Sequence, residues 1–209
     1  MVILCTGNYR TKLNGDLSDF ILKSLHSRSV PILVTGEEGF PYHSYYQRGK
    51  FLGLTQSVLG KLLVCQSVNM YHLRDIIQGI DTEMKKGAYP ILVNFSSNYL
   101  DENVPAKVSD FLHGEDVISL KRLSQKYRLP VFFWESDWLL DTSRRSYLQR
   151  SLYNHSSCVL DWNKEEPELV KNILTNNERG LLYGNSDSGI LHISGELIQR
   201  MERIPKLAS

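Results

Sequence analysis

The first fourteen residues, MVILCTGNYRTKLN, have the outline of a phosphate-binding loop but lack most of the residues that such a loop uses. A P-loop has the pattern G-x-x-x-x-G-K-[ST]: backbone N–H groups wrap the phosphates, the lysine reaches the β and γ oxygens, and the hydroxyl holds Mg²⁺. Counting from Gly7, the second glycine position is Lys12, the lysine position is Leu13 and the hydroxyl position is Asn14. Three of the four fixed positions fail. The stretch therefore predicts a strand, a loop and a helix with no bound nucleotide cofactor.

The helix after this loop is expected over residues 16–25, which have helical periodicity. Asp16 is a favourable N-cap residue, with Asp19 at the N3 position. These carboxylates would lie where the helix dipole otherwise favours an anionic ligand. We therefore expect the helix start to be satisfied by the protein's own side chains.

The composition indicates one globular α/β domain. The chain has 209 residues, of which 42% are hydrophobic and 22% charged, and its net charge is +1. Any nucleic-acid contact must therefore come from a local patch.

The three cysteines lie far apart in apolar runs and are expected to be reduced core residues: Cys5, Cys65 and Cys158. The six histidines are dispersed without metal-ligand spacing, so no metal site is predicted, and no apolar run is long enough for a membrane helix.

Apolar runs and amphipathic stretches alternate along the chain. Buried strands are predicted at residues 2–5, 30–35, 61–65, 90–95, 130–134 and 157–162. Helices are predicted at residues 16–25, 42–54, 72–85, 116–127 and 147–153, with polar loops over 96–115 and 137–145. Residues 168–174 fit either a helix or a strand, and 181–183 with 190–193 predict a C-terminal antiparallel hairpin. Alternating strands and helices imply right-handed crossovers and a mainly parallel sheet, hence a three-layer α/β/α sandwich.

The order of these segments resembles the RecA-type ATPase core, the fold of RecA, archaeal RadA and KaiC. The resemblance covers nearly the whole chain and is carried by its layout. Residues 2–25 are similar to the P-loop strand and helix, and Val34-Thr35-Gly36-Glu37-Glu38 to a strand that ends in the acidic general base. Residues 50–54 and 147–162 also resemble family segments, and residues 120–131, LKRLSQKYRLPV, look like the family's later helix and strand. The resemblance implies a RecA-like core over residues 1–209 without an N-terminal helical domain.

The chain departs from the family at the positions that bind nucleotide. Besides the altered P-loop, the Walker B strand Ile91-Leu92-Val93 is followed by Asn94, where the family has a carboxylate. Phosphoryl transfer depends almost entirely on positioning and charge neutralisation by these groups. The resemblance therefore predicts a pseudo-ATPase, not an enzyme. An alternative is a KaiC-like or RecA-like ATPase whose variant loop uses Lys12.

Degenerate members of this fold occur among recombinase paralogues, including small Shu-complex-type subunits that pair with SWIM-domain proteins. The resemblance thus implies a nuclear, non-catalytic subunit of a complex that assists homologous recombination and DNA repair. Its expected partners are another RecA-like paralogue, a SWIM-domain protein, a strand-exchange recombinase and single-stranded DNA. A second alternative is an Elongator-type accessory subunit in tRNA modification, which would be cytoplasmic.

In RecA-like proteins DNA contacts come from loops after the central strands. The loop over 137–145 and the helix after it carry Arg144, Arg145 and Arg150, with Tyr147 nearby. Arginine binds phosphate in a bidentate manner, and an aromatic ring can stack on an unpaired base. These arginines are the predicted DNA-binding residues. The loop over 96–115 is acidic, which suits a protein partner better.

Overall fold

The computed structural model describes residues 1–7, 10–25, 30–36, 39–136, 144–161 and 168–172. The strands are β1 (Val2–Gly7), β2 (Pro31–Thr35), β3 (Leu63–Gln66), β4 (Tyr89–Val93), β5 (Val131–Ser136), β6 (Cys158–Asp161) and β7 (Glu168–Asn172). The helices are α1 (Arg10–Ser24), α2 (Tyr42–Phe51), α3 (Gln56–Leu59), α4 (Met70–Lys85), α5 (Ala106–Tyr127) and α6 (Arg144–His155), with a 3₁₀ helix at Phe95–Tyr99.

The strands form one sheet in the order β3-β2-β4-β5-β1-β6-β7. The first six are parallel to their neighbours, and β7 runs antiparallel to β6 at one edge. β1 lies between β5 and β6, so the first strand of the chain pairs with strands from its second half.

Two apolar clusters cover the two faces of the sheet, because successive strand residues point to opposite sides. On β1, Ile3 and Cys5 face the cluster that contains residues of α1, α2 and α3, which we call the first face. Val2 and Leu4 face the cluster with residues of α4, α5 and α6, the second face. All four side chains are at most 1% exposed. The continuous apolar sequence of β1 thus reflects burial on both sides.

This architecture is the α/β/α sandwich with a mainly parallel sheet that the sequence predicts, and it is consistent with a RecA-like fold. Each of the six predicted strands is present, with ends displaced by a few residues. The segment over 168–172 is a strand, and it supplies an antiparallel edge. The predicted C-terminal hairpin lies outside the described residues.

Four helices begin earlier than the sequence predicts, and the difference is largest for α1 and α5. Helix α1 begins at Arg10, so Asp16 lies well inside the helix and is not its N-cap. The Asp19 carboxylate pairs with the guanidinium of Arg48 on α2 and does not serve the helix start. The first two turns of α1 carry mostly polar residues, and the apolar periodicity that indicates a helix begins only at Leu17.

Helix α5 begins at Ala106, so the predicted polar loop over 96–115 is wrong. The 3₁₀ helix occupies the start of that range and α5 occupies its end. Inward positions of α5 hold Ser109, His113 and Asp116, each at most 4% exposed. Polar residues on the buried face conceal the helical pattern in the sequence.

Candidate functional site

The carboxyl edge of the sheet carries the residues that the sequence singles out. Ligands of parallel α/β sheets bind where neighbouring strands send their connections to opposite faces. β1 leads to α1 on the first face, whereas β5 leads to α6 on the second face. β2 leads to α2 on the first face, whereas β3 and β4 lead to α4 and α5 on the second. Crevices are therefore expected at the ends of β1 and β2.

At the end of β1 the connection to the helix is short. β1 ends at Gly7 and α1 begins at Arg10, so only positions 8 and 9 separate them. Lys12 is the third residue of α1, and Leu13 and Asn14 follow it in the helix. The side chains of these three residues lie outside the described part of the structure, as do Glu37 and Glu38. Gly7 itself is buried and lies opposite Ser136 of β5 in the sheet register.

Asn94 follows β4 in the left-handed conformation, with φ 48° and ψ 43°, which asparagine adopts more readily than most residues. Its side-chain Oδ1 accepts hydrogen bonds from the Ser136 backbone N–H at 3.0 Å and the Ser136 hydroxyl at 2.8 Å. Its own backbone N–H donates to the Trp134 carbonyl oxygen at 2.8 Å. The structure thus links Asn94, which departs from the nucleotide-site motif, and Gly7, the one fixed P-loop position that is kept, through one residue, Ser136.

Glu135 is a fully buried carboxyl group beside these residues and is not among the site residues predicted from the sequence. Its Oε1 accepts a hydrogen bond from the Ser96 backbone N–H at 3.0 Å, and Gln149 Nε2 donates to its Oε2 at 3.4 Å. Burial raises the pKa of Glu135, while the Ser96 N–H and the positive charge of Arg145 oppose that rise. The carboxyl group therefore ties β5 to the 3₁₀ helix and to α6. A glutamate directly after an apolar strand is the signal that could have revealed it.

The three predicted DNA-binding arginines lie on α6, and two of them contact different segments of the protein. Arg144 pairs with Asp110 at 3.2 Å and donates to the Ala106 carbonyl oxygen at 3.1 Å, so it lies against the start of α5. Arg145 donates to the Ser136 carbonyl oxygen at 2.9 Å and so reaches the carboxyl edge of the sheet. Arg150 is exposed.

Two of the acidic residues predicted to form a partner-binding loop make contacts within the protein. Asp110 pairs with Arg144. Asp116 is 4% exposed and accepts a hydrogen bond of 2.5 Å from the Tyr99 hydroxyl, and its Oδ1 lies 3.7 Å from Arg74 Nε. Burial raises the pKa of Asp116, and the Tyr99 bond opposes that rise. These carboxylates hold α5 against the 3₁₀ helix, α4 and α6, so they cannot form one free acidic surface.

At the end of β2 there is a cavity of about 650 Å³. Its walls come from the segments that follow β2, β3 and β4, and they include Thr35, Phe40, Val68, Asn94, Asn98 and Asp101. The Ser67 hydroxyl lies 3.0 Å from the Thr35 carbonyl oxygen and 2.7 Å from Asn98 Oδ1, so it bridges two of these segments. The cavity occupies the crevice that the diverging connections predict.

Three further observations concern metal ions, membrane-spanning helices and known proteins. Within the described ranges, no three His, Cys, Asp or Glu side chains cluster closely enough to hold a metal ion. Of the described helices, none has the length and apolar character needed to span a membrane. Comparison of the sequence with protein-family models and with curated proteins finds no match.

Proposed function

We propose that this chain is a non-catalytic RecA-like subunit of a nuclear, heteromeric complex that assists homologous recombination and DNA repair. It would act through contacts with protein partners and with single-stranded DNA. The observation that carries the non-catalytic part is the short connection from Gly7 to Arg10.

This connection leaves little backbone to surround a phosphate chain. A P-loop wraps the phosphates with N–H groups from a glycine-rich loop of several residues. Here residues 10–14 already belong to α1, where only the first four N–H groups remain free of helix hydrogen bonds. A helix N-terminus alone can attract an anion, but it does not position a γ-phosphate for transfer.

Asn94, the altered position after the Walker B strand, also supports a non-catalytic role. A neutral amide replaces the carboxylate that would help to hold Mg²⁺. Its Oδ1 is already engaged by the Ser136 N–H and hydroxyl. The side chain thus has a structural use at the carboxyl edge of the sheet, which explains its presence without catalysis.

Exposed apolar side chains support a role that depends on protein partners. Phe51 is 91% exposed and Leu52 is 54% exposed at the end of α2. Both border a cleft of about 740 Å³ between α1 and α2, which also contains Lys23 and the Asp19–Arg48 pair. Adjacent exposed apolar residues beside a cleft are typical of protein-binding surfaces. The proposed partners are another RecA-like paralogue, a SWIM-domain protein or a strand-exchange recombinase.

Co-purification tests the partner role most directly. The tagged chain is isolated from its native source, and its partners are identified by mass spectrometry. A RecA-like or SWIM-domain partner supports the proposal. A stable, well-behaved monomer with no partner contradicts it, and Elongator components would assign the chain to tRNA modification.

Nucleotide binding tests the non-catalytic role. Mg-ATP binding is measured for the natural chain, for Lys12→Ala and for the control Lys23→Ala, which changes an exposed lysine elsewhere on α1. We expect no saturable binding in any of them. Binding that Lys12→Ala abolishes and Lys23→Ala preserves would establish a variant ATPase.

Nucleic-acid binding tests the α6 arginines. Binding to single-stranded DNA and to tRNA is compared across a salt series, since phosphate contacts give a salt-dependent affinity. We expect the double variant Arg144→Ala, Arg145→Ala and the single variant Arg150→Ala to weaken DNA binding. Arg122→Ala is the control, because Arg122 is exposed on α5. Unchanged binding in the α6 variants, or a preference for tRNA, would contradict the assignment.

A further inference from the structure

The cavity at the end of β2 lies apart from the altered P-loop position. β4 and β5 separate β2 from β1 in the sheet. The connection of β2 goes to the first face, and the connections of both its neighbours go to the second face. The end of β2 is therefore a topological switch point of its own, and such points are where open α/β sheets bind ligands. The cavity volume of about 650 Å³ is within the range of small-molecule sites, roughly 300–1,000 Å³.

Two polar groups in the cavity wall have no hydrogen-bond partner within the described part of the chain. The Thr35 side chain is 3% exposed, and its hydroxyl forms no hydrogen bond with any described residue. Burying a polar group without a hydrogen-bond partner is unfavourable. The Asn94 side chain uses its Oδ1 for Ser136, while its amide nitrogen has no acceptor among the described residues. A ligand in the cavity can accept from the Asn94 amide directly, and it reaches the enclosed Thr35 hydroxyl only if the wall opens slightly.

The charges of the cavity wall limit which class of ligand can bind there. Among the described residues that line the cavity there is no lysine, arginine or histidine. The one ionisable side chain there is Asp101, which would repel an anion. Phe40, Val68 and Leu100 add apolar surface. A phosphate group finds no counter-charge among these described lining residues, whereas an uncharged, partly apolar ring with hydrogen-bonding edges matches the wall.

We propose that the cavity at the end of β2 binds a small uncharged ligand of the nucleobase or nucleoside class. The Asn94 amide nitrogen donates to a ring or carbonyl acceptor of the ligand, and the Thr35 hydroxyl completes its hydrogen bonding at the same edge. In bidentate recognition of adenine by asparagine, the amide NH₂ donates to the ring N7, and this is the half of that contact that Asn94 can supply. The inference shares Asn94 with the proposed function but uses neither the β1 end nor a protein partner. Failure of nucleoside binding would therefore leave the proposed function standing.

The test is a binding titration followed by amide NMR. Adenosine, guanosine, cytidine and uridine, each at up to about 1 mM, are compared with their 5′-monophosphates. We expect one nucleoside to shift the resonances of Gly36, Gly39 and Asn98, and its monophosphate to bind several-fold more weakly. The inference is overturned if no nucleoside shifts these resonances, or if the monophosphate binds as tightly or more tightly.

Two variants test the proposed contacts separately. Thr35→Val removes the hydroxyl and retains the shape, and Asn94→Asp keeps the acceptor for Ser136 but replaces the NH₂ donor with an oxygen. Each is expected to weaken binding about tenfold, the effect of one lost hydrogen bond of about 1.4 kcal/mol. The controls Thr82→Val and Asn154→Asp change exposed positions on α4 and α6. Equal binding by both cavity variants and the controls would contradict the assignment.

Discussion

Asn94 Oδ1 accepts two hydrogen bonds from one residue, Ser136, through its backbone N–H at 3.0 Å and its hydroxyl at 2.8 Å. Ser136 is the last residue of β5 and lies opposite Gly7 of β1. The ends of β4, β5 and β1 are therefore connected by side-chain and backbone bonds at the edge where a nucleotide would bind. An aspartate at position 94 could accept the same two bonds, so the structural role of this residue does not require the amide.

Replacements at position 94 should separate its side-chain bonds from its backbone conformation. Asn94→Ala loses both bonds and places at φ 48° a residue that tolerates the left-handed region less well than asparagine, so we expect a loss of about 2–3 kcal/mol in the free energy of unfolding. Asn94→Gly loses the bonds without the conformational cost and should be less destabilised. Asn94→Asp should be affected least. Chemical denaturation of the protein, in the form in which it purifies, measures the order of stability of the three variants. An equal loss of stability in the Gly and Ala variants would contradict the prediction.

Glu135 should make the stability depend on pH. Burial raises the pKa of this carboxyl group above its ordinary value of 4.5, so the folded protein binds the proton more tightly than the unfolded chain. Its contribution to stability is fully present below the ordinary pKa and is lost as pH rises through the folded-state pKa. Relative to the natural chain, Glu135→Gln should gain stability as pH rises from about 4.5, by at most about 1.4 kcal/mol per pH unit. Urea unfolding at several pH values measures this difference, and a pH-independent difference would contradict it.

Gly49 should not tolerate a side chain. A Cβ at this position would lie 3.1 Å from Leu59 Cδ1, 3.2 Å from Leu22 Cδ2 and closer still to the other Leu59 methyl group. Both leucines are at most 2% exposed, so neither can move freely. We expect Gly49→Ala to cost about 1–3 kcal/mol through overpacking.

A second glycine provides the control for this substitution. Gly79 lies in α4, and a Cβ there would contact nothing within 4 Å. Gly79→Ala should stabilise the protein by about 0.5–1 kcal/mol, because alanine is the better helix former. Thermal unfolding compares the two variants. Similar shifts in the same direction would show that packing at Gly49 is not tight.

The hydrogen bond from Tyr99 to Asp116 should stabilise the contact between the 3₁₀ helix and α5. Both side chains are at most 4% exposed. Tyr99→Phe leaves a buried carboxylate with one partner fewer, so we expect a loss of about 1–3 kcal/mol. A double-mutant cycle with Asp116→Asn measures the coupling between the two residues. Tyr71→Phe is the control, since Tyr71 is 54% exposed, and a coupling energy near zero would contradict the role of the bond.

The three cysteines should differ in reactivity. Cys5 and Cys158 are buried, and burial raises the pKa of both thiols, that of Cys158 to about 12. Cys65 lies on the edge strand β3 and is partly exposed, although burial also raises its pKa. A thiol reagent should modify Cys65 first and the other two only upon unfolding. Mass spectrometry of the partly modified native protein identifies the site, and early modification of Cys158 would contradict the packing of β6.

The sequence predicts the strands better than the site. Buried parallel strands are continuous apolar runs, so segments such as Ile91-Leu92-Val93 stand out on hydrophobicity alone. The first half of α5 escapes detection because its inward positions are Ser109, His113 and Asp116. Hydrophobic periodicity cannot detect a helix that buries polar groups with partners.

The site depends on relations between distant segments. Asn94 is visible in the sequence as a departure from a motif, but its bond to Ser136 depends on the order and register of β4 and β5. The cavity requires three strand ends, those of β2, β3 and β4, to meet with their connections diverging. Glu135 was visible only as a charge beside a strand, because its partners Ser96 and Gln149 belong to other segments.

The position of β1 has a consequence for how the protein is made. Residues 2–7 leave the ribosome well before their neighbours in the sheet, which are residues 131–136 and 158–161. At a synthesis rate of about 5–20 residues per second, the apolar sequence VILC waits on the order of ten seconds for its neighbours. During that time the apolar strand has no neighbouring strand to pair with and can aggregate. The central pairing of the sheet is therefore completed only late in translation, and early chain termination would yield aggregation-prone fragments instead of a smaller folded unit.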